Sequence, residues 1–387
     1  MGPPLWADET FDLCQHAGPR VEVAPSPVAR EEDELLHVAL LIGAAVAIYL
    51  ACEWFVNAVE WLGVELEVGR IAVGTLLAAV GTALPESVVT FVAVVFRHSQ
   101  RSHDIGVGAA LGGPLVLSTI AYALVGFALL GRRRSLYLSG DARREATSAR
   151  QRSADGGSGD GGSGDGGVDG GRLTRDQKWF LAVFVFKVAL GLVAFAYKRW
   201  LGIAFFLAYG VYFAGELTDR GAAADSAGLE PLRLQPRADR PAPVLIGVQT
   251  VAAAAVIFVA SQVFVRQLEW AGPQLGLSAT VTALLLSPIA TELPETMTAL
   301  LWVRQGKTEL ALANISGAMM IQATVPSGLG LLFTSWHFDG PLIASGVVTM
   351  AAIGYLLVTF RGRRLSAGRL AAVAGFYAVF AASLVVL

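Results

Sequence analysis

Apolar positions in this chain do not recur at a helical or strand period. They run on without interruption and are cut by short polar segments. Ten such runs can be drawn, at about 37–61, 71–96, 104–130, 178–196, 200–217, 244–266, 278–303, 308–334, 340–360 and 368–387. Most match the roughly 20 residues that a helix needs to cross a bilayer. The pattern predicts an all-α membrane protein of ten transmembrane helices. Polar stretches divide it into an extracytoplasmic tail at 1–34, a first set of five helices over 35–217, a cytoplasmic loop at 218–243 and a second set over 244–387. Inside the first set, the segment 131–177 holds Gly156-Gly157-Ser158-Gly159-Asp160 and near-repeats up to Gly171. That composition cannot bury a core and predicts a flexible loop.

Composition agrees. The 387 residues are 54% hydrophobic and only 16% charged, against about 25% charged in soluble domains. The mean hydropathy is +0.57. The lipid bilayer is therefore the first expected partner. A net charge of −2 argues against nucleic acid. Cys14 and Cys52 give neither a disulfide framework nor a metal-ligand spacing, and no Walker-type loop announces ATP. The first 34 residues lack the basic and apolar regions of a cleaved signal. Arginines at 132–134, 143, 144, 220, 233, 237, 240, 304, 361, 363, 364 and 369, with Lys307, fall on one side of the ten-helix scheme. The positive-inside rule then places both termini outside.

Two hexapeptides carry the candidate chemistry: Gly81-Thr82-Ala83-Leu84-Pro85-Glu86 and Ala290-Thr291-Glu292-Leu293-Pro294-Glu295. The helix after each aligns too, Asp104-Ile105-Gly106-Val107-Gly108-Ala109 with Glu309-Leu310-Ala311-Leu312-Ala313-Asn314, and Gly112 with Gly317. Five spans per half is an odd number, so the halves have opposite topology. Inverted repeats with polar, interrupted helices at matching positions mark secondary transporters.

A carboxylate at the bilayer centre costs roughly 2.5–3.5 kcal/mol on insertion scales. One Pro-Glu reads as a kink beside a protonated acid; the same motif in both halves favours a cation site. Each proline removes an N–H and bares the carbonyl four residues back, here those of Gly81 and Ala290. Thr82 and Thr291 precede Glu86 and Glu295 by one turn and share their faces. Carboxylate, hydroxyl and carbonyl oxygens suit hard cations such as Ca²⁺ or Na⁺. Glu292 adds a third carboxylate one turn from Glu295, so a shared proton enters the picture.

The Gly-Thr-x-Leu-Pro-Glu motif, followed by an acidic-aliphatic-glycine helix, resembles the α-repeats of the cation/Ca²⁺ exchanger superfamily, which includes the Na⁺/Ca²⁺ exchangers. The resemblance covers 71–130 and 278–334 closely and the ten spans loosely. It implies a sodium/calcium exchanger-like fold of two inverted five-helix repeats and a secondary antiporter rather than an enzyme. Glu86 and Glu295 would be the central ligands, with Thr82 and Thr291 beside them and Asn314 as the one amide kept. No cofactor is implied beyond transported Ca²⁺ and Na⁺ (or H⁺). The family's motif serine is replaced by Ala83 and Glu292, and its Gly-Asn…Gly-Ser-Asn by Gly108-Ala109…Gly112-Gly113-Pro114 and Ala313-Asn314…Gly317-Ala318-Met319. These departures raise a cation/H⁺ exchanger as the alternative, ahead of a channel or sensor on the same fold.

Other polar residues in apolar runs give weaker signals. Lys187 reads either as a fixed cation near a site carboxylate or as a snorkelling side chain, and the second is preferred because the resemblance places helix four outside the ion core. Glu53, Asn57 and Glu60 form a stripe that either lines a vestibule or edges the interface. Ser118, Thr119, Gln322 and Thr324 are expected to make interhelical hydrogen bonds.

Overall fold

In the computed structural model the described residues are 27–65, 78–131, 136–139, 168–194, 197–218, 229–361 and 364–386. Side chains are described for all of these except 27–32, 78–82, 136–139, 168–169, 216–218 and 364. The chain divides into two compact units, Met1–Ala39 and Leu40–Leu387. The described part of the first is the opening of helix α1 (Pro27–Glu65). The second holds every other element.

Apolar runs become helices throughout. After α1 come α2 (Ala78–Phe91), which widens into a π turn over Val92–Phe96, and α3 (Gln100–Gly131), with a π turn over Leu117–Ala121. Next are α4 (Gly170–Leu192), a 3₁₀ turn over Lys198–Leu201 and α5 (Gly202–Thr218). Then follow α6 (Pro243–Gln274), α7 (Ala279–Thr291), α8 (Leu293–Arg304), α9 (Thr308–Phe333) and α10 (Gly340–Phe360). Two short helices, α11 (Ala367–Ala372) and α12 (Ala374–Ser383), end the fold.

Several starts are fixed by side-chain caps that take up an otherwise orphaned N–H. Ser99 accepts from Ser102 N, Ser278 from Val281 N, and Asp339 from Leu342 N. Among the described residues, five helices are long and apolar enough to cross a membrane, namely α1, α3, α6, α9 and α10.

The fold is all-α, as expected, apart from one small sheet at its margin. Strands β1 (Leu136–Ser139), β2 (Val168–Asp169) and β3 (Arg364–Leu365) form a small sheet in the order β2-β1-β3. β1 runs parallel to β2, Leu138 opposite Val168, and antiparallel to β3, Leu136 opposite Leu365. Part of the segment 131–177 is thus paired, and α4 begins at Gly170 rather than at 178. The Gly/Ser/Asp repeats at 156–167 lie outside the described residues.

Helices α3 and α9 are the centre of the fold. The apolar stretch of α9 is 83% buried and that of α3 67%, against 33% for α6. Close approach of α3 to α7 needs glycine: a Cβ on Gly112 would lie 2.9 Å from Pro288 Cγ and 3.2 Å from the Leu284 carbonyl. Polar residues midway along these helices are therefore buried, several of them where α3 and α9 meet α2 and α7.

Candidate functional site

The two hexapeptides fold differently despite their likeness. Pro85 sits inside the continuous helix α2, and Glu86 after it is fully buried. In the second half the helix breaks. Thr291 ends α7, Leu293 starts α8, and Glu292 between them (φ −97°, ψ −5°) caps both. Pro294 occupies the first turn of α8, where its missing N–H has no helical partner to lose. Upstream, Pro288 lies inside α7, and the Glu292 N–H closes the last turn of that helix on the Pro288 carbonyl at 2.9 Å. Two half-helices therefore present Thr291, Glu292 and Glu295 to the interior, all at most 1% exposed.

The Thr291 hydroxyl joins the halves. Its Oγ1 lies 2.7 Å from Glu86 Oε2, 3.1 Å from Glu292 Oε1 and 3.2 Å from the Ser287 carbonyl. One hydroxyl hydrogen cannot serve three acceptors, and the shortest contact is to Glu86. Gln322 Nε2 of α9 donates to Glu292 Oε2 at 2.8 Å. The wall opposite is Gly113 of α3, where a Cβ would meet Gln322 Oε1 at 2.7 Å and Glu292 Oε1 at 2.9 Å.

Several buried polar atoms at this junction make no hydrogen bond among the described residues: Glu86 Oε1, Thr90 Oγ1, Ser287 Oγ, Gln322 Oε1 and both amide atoms of Asn314. Buried donors and acceptors left unpaired each cost about 1–3 kcal/mol, so such a concentration marks a place built to receive a ligand rather than to pack. All but one of these atoms are oxygens, the donor set of a hard cation. No group of three acidic, His or Cys side chains converges into a ready metal cluster among the described residues. The carboxylates come as a hydroxyl-linked pair with a third apart.

Of the residues singled out from sequence, the structure brings Glu86, Thr291 and Glu292 into contact and buries Glu295, Asn314 and Ala290 nearby. The Thr291 hydroxyl reaches across to the other half's glutamate rather than serving Glu295. The surroundings of Gly81 and Thr82 lie outside the described residues. Ser118, Thr119 and Thr324 return their hydroxyls to carbonyls of their own helices, those of Leu115, Leu115 and Met320. Only Gln322 makes the interhelical bond expected of that group. The stripe on α1 also splits: Glu53 is exposed, while Asn57 is buried and bonds the Glu230 and Pro231 carbonyls, Arg233 N and Gln249.

The family model for the sodium/calcium exchanger protein matches residues 36–217 and 246–386. The chain belongs to this family. As a sodium/calcium exchanger family member it is a multi-pass membrane protein of a class that exchanges cations and is not enzymatic. The inner membrane protein YrbG of Escherichia coli (strain K12) is 28% identical over 333 residues, covering 84% of this chain and 90% of the relative. Among solved structures, the fold is similar to the sodium-calcium exchanger NCX_Mj soaked with Na⁺ and Sr²⁺ (TM-score 0.58, 16% identity, 90% of this chain and 99% of that one). It is also similar to the H⁺/Ca²⁺ exchanger CAX (TM-score 0.65, 15% identity, 90% and 86% covered).

Proposed function

We propose that this exchanger is a secondary antiporter moving Ca²⁺, or another hard cation, against Na⁺ by alternating access. Glu86, Glu292 and Glu295 would be its charged ligands, with Thr82, Thr291 and Asn314 and the Gly81 and Ala290 carbonyls as neutral ones. The observation that carries the reading is the buried Glu86–Thr291–Glu292 link, which ties the two motif halves at one point with carboxylate oxygen left over. A bound cation offsets the cost of holding these acids out of water, and two ion types competing for shared carboxylates make exchange rather than uniport. The wider frame is ten transmembrane helices in inverted repeats, 35–217 and 244–387, with both termini outside. It is supported by the paired hexapeptides, the broken α7–α8 element and the arginine distribution.

A second reading, cation/H⁺ exchange, is favoured by one geometric point. Both carboxylates contact a single hydroxyl; a proton on one carboxyl lets it donate to Thr291 Oγ1 while Thr291 donates to the other. The likeness in fold to NCX_Mj and to CAX accommodates either coupling.

The deciding experiment is Ca²⁺ uptake into proteoliposomes under an outward Na⁺ gradient, or under a pH gradient alone. Uptake that needs internal Na⁺ supports the first reading, and uptake driven by pH alone supports the second. Wild-type exchange in Glu86→Gln or Glu295→Gln would sink the site assignment.

A further inference from the structure

Lys187 is fully buried on α4, a helix that the resemblance places outside the ion core. Its surroundings are built rather than incidental. Nζ donates to the Ala110 carbonyl of α3 at 2.9 Å and stands 4.7 Å above the Phe184 ring. The Lys187 carbonyl accepts from the Trp336 indole N–H at 3.2 Å, and Trp336 is itself fully buried. A lysine that snorkels reaches water or headgroups; this one reaches inward.

The carbonyl that it meets is distinctive. Ala110 lies four residues before Pro114, which has no N–H to return to it. The ammonium thus occupies the acceptor that the proline leaves without a helical partner. No direct ion pair forms between Lys187 and a described carboxylate, but the Ala110 carbonyl that holds it lies one turn of α3 before Gly113, whose missing Cβ makes room for Glu292 Oε1. A buried charge is tolerated only with compensation, and the acids of the α2–α3–α7–α9 junction are the groups that can give it.

We propose that Lys187 is a tethered counter-cation of the exchange site, its ammonium held on the proline-freed Ala110 carbonyl of α3, and that it sets how many mobile cations the site takes. Glu86, Glu292 and Glu295 with Lys187 carry a formal charge of −2, the charge balanced by one divalent ion or two monovalent ions. Removing the ammonium leaves −3, and the site then demands one cation more. The idea rests on the exchange site proposed above. It concerns charge rather than shape, which separates it from a packing role.

The test uses purified full-length protein with Lys187→Gln, which keeps an N–H donor for Ala110 but removes the charge, Lys187→Met, which removes both, and Lys187→Arg, which keeps the charge. Ca²⁺ binding is measured in detergent by titration, and Na⁺-driven or H⁺-driven Ca²⁺ uptake is followed in liposomes at clamped membrane potential. In Lys187→Gln the expected result is Ca²⁺ binding tighter by about tenfold or more. The kinetic order in the driving ion should rise by about one, since an uncompensated buried charge recruits a counter-ion. Lys187→Arg should return both values toward wild type. Should Lys187→Gln fold poorly, Lys187→Met gives the same reading of charge. Wild-type affinity and order in a folded charge-removing variant would overturn the proposal. Absence of any cation-driven uptake by the wild-type protein would instead overturn the exchange reading, while the binding titration still decides the role of Lys187.

Discussion

Replacing Gly113 by alanine adds one methyl group and removes no ligand, so it isolates geometry from chemistry at the site. The new Cβ would stand 2.7 Å from Gln322 Oε1 and 2.9 Å from Glu292 Oε1, where ordinary contact begins at 3.4 Å. Both oxygens must retreat by several tenths of an ångström, and with them goes the 2.8 Å bond from Gln322 to Glu292. A hydrogen bond to a charged group is worth about 1.5–3 kcal/mol. Alanine returns about 1 kcal/mol of helix propensity over glycine, which partly offsets an overpacking cost of about 1–3 kcal/mol. Global stability should therefore fall by about 1.5–5 kcal/mol, the overpacking and lost-bond terms less the gain in propensity. Displacement of Glu292 should raise the half-saturating Ca²⁺ concentration for uptake by roughly ten- to a hundredfold, at 1.4 kcal/mol per tenfold. Initial uptake rates in proteoliposomes, beside thermal unfolding in detergent, give both quantities. The control is Gly112→Ala, whose Cβ meets Pro288 Cγ and the Leu284 carbonyl and no carboxylate; it should lower stability without moving half-saturation. Wild-type half-saturation in Gly113→Ala, or an equal shift in Gly112→Ala, refutes the placement of Glu292 at the site.

Thr291→Val keeps the volume and deletes the hydroxyl between Glu86 and Glu292; exchange should fall at least about tenfold, with Thr291→Ser restoring most of it. Glu292→Gln should impair pH-driven uptake more than Na⁺-driven uptake if the third carboxylate carries the proton, and both gradients can be compared in one preparation. Asn57→Leu leaves Arg233 N and Gln249 without their buried partner, so the midpoint of thermal unfolding should drop by the equivalent of about 1–3 kcal/mol while half-saturation for Ca²⁺ stays put.

Glu86, Glu292 and Glu295 were legible because burying an acid twice in matching apolar runs is costly enough to stand out of any background. The helices themselves follow from run length alone. What the chain hides is whatever depends on which helix meets which. Gln322 looks like any amide in an apolar run until α9 is placed against the α7–α8 break. Lys187 looks peripheral until α4 is seen to press it onto Ala110. Ser118 and Thr119 mislead in the opposite sense: near the proline-distorted stretch of α3 a hydroxyl finds its own backbone, here the Leu115 carbonyl, closer than any neighbour. The break at Glu292 was hidden for a related reason, since Pro85 and Pro294 sit at the same place in their motifs and yet one lies inside a continuous helix and the other in the first turn of a new one.

That asymmetry has a consistent electrostatic logic. The first motif carries Ala83 where the second carries Glu292, so the repeats differ by one negative charge. The only lysine or arginine side chain that is fully buried among the described residues is Lys187, and it bonds the helix that follows the first motif. An added acid in one half and an added ammonium against the other leave the junction with the formal charge that a two-glutamate site would have. Either one alone leaves the junction with an unbalanced charge at a depth where there is no water to solvate it. If the two are coupled in this way, Glu292→Gln and Lys187→Gln should each disturb cation binding in opposite directions. The double variant should lie nearer wild type than either single one does. A double variant as far from wild type as either single one would mean that the two charges do not balance each other at the site.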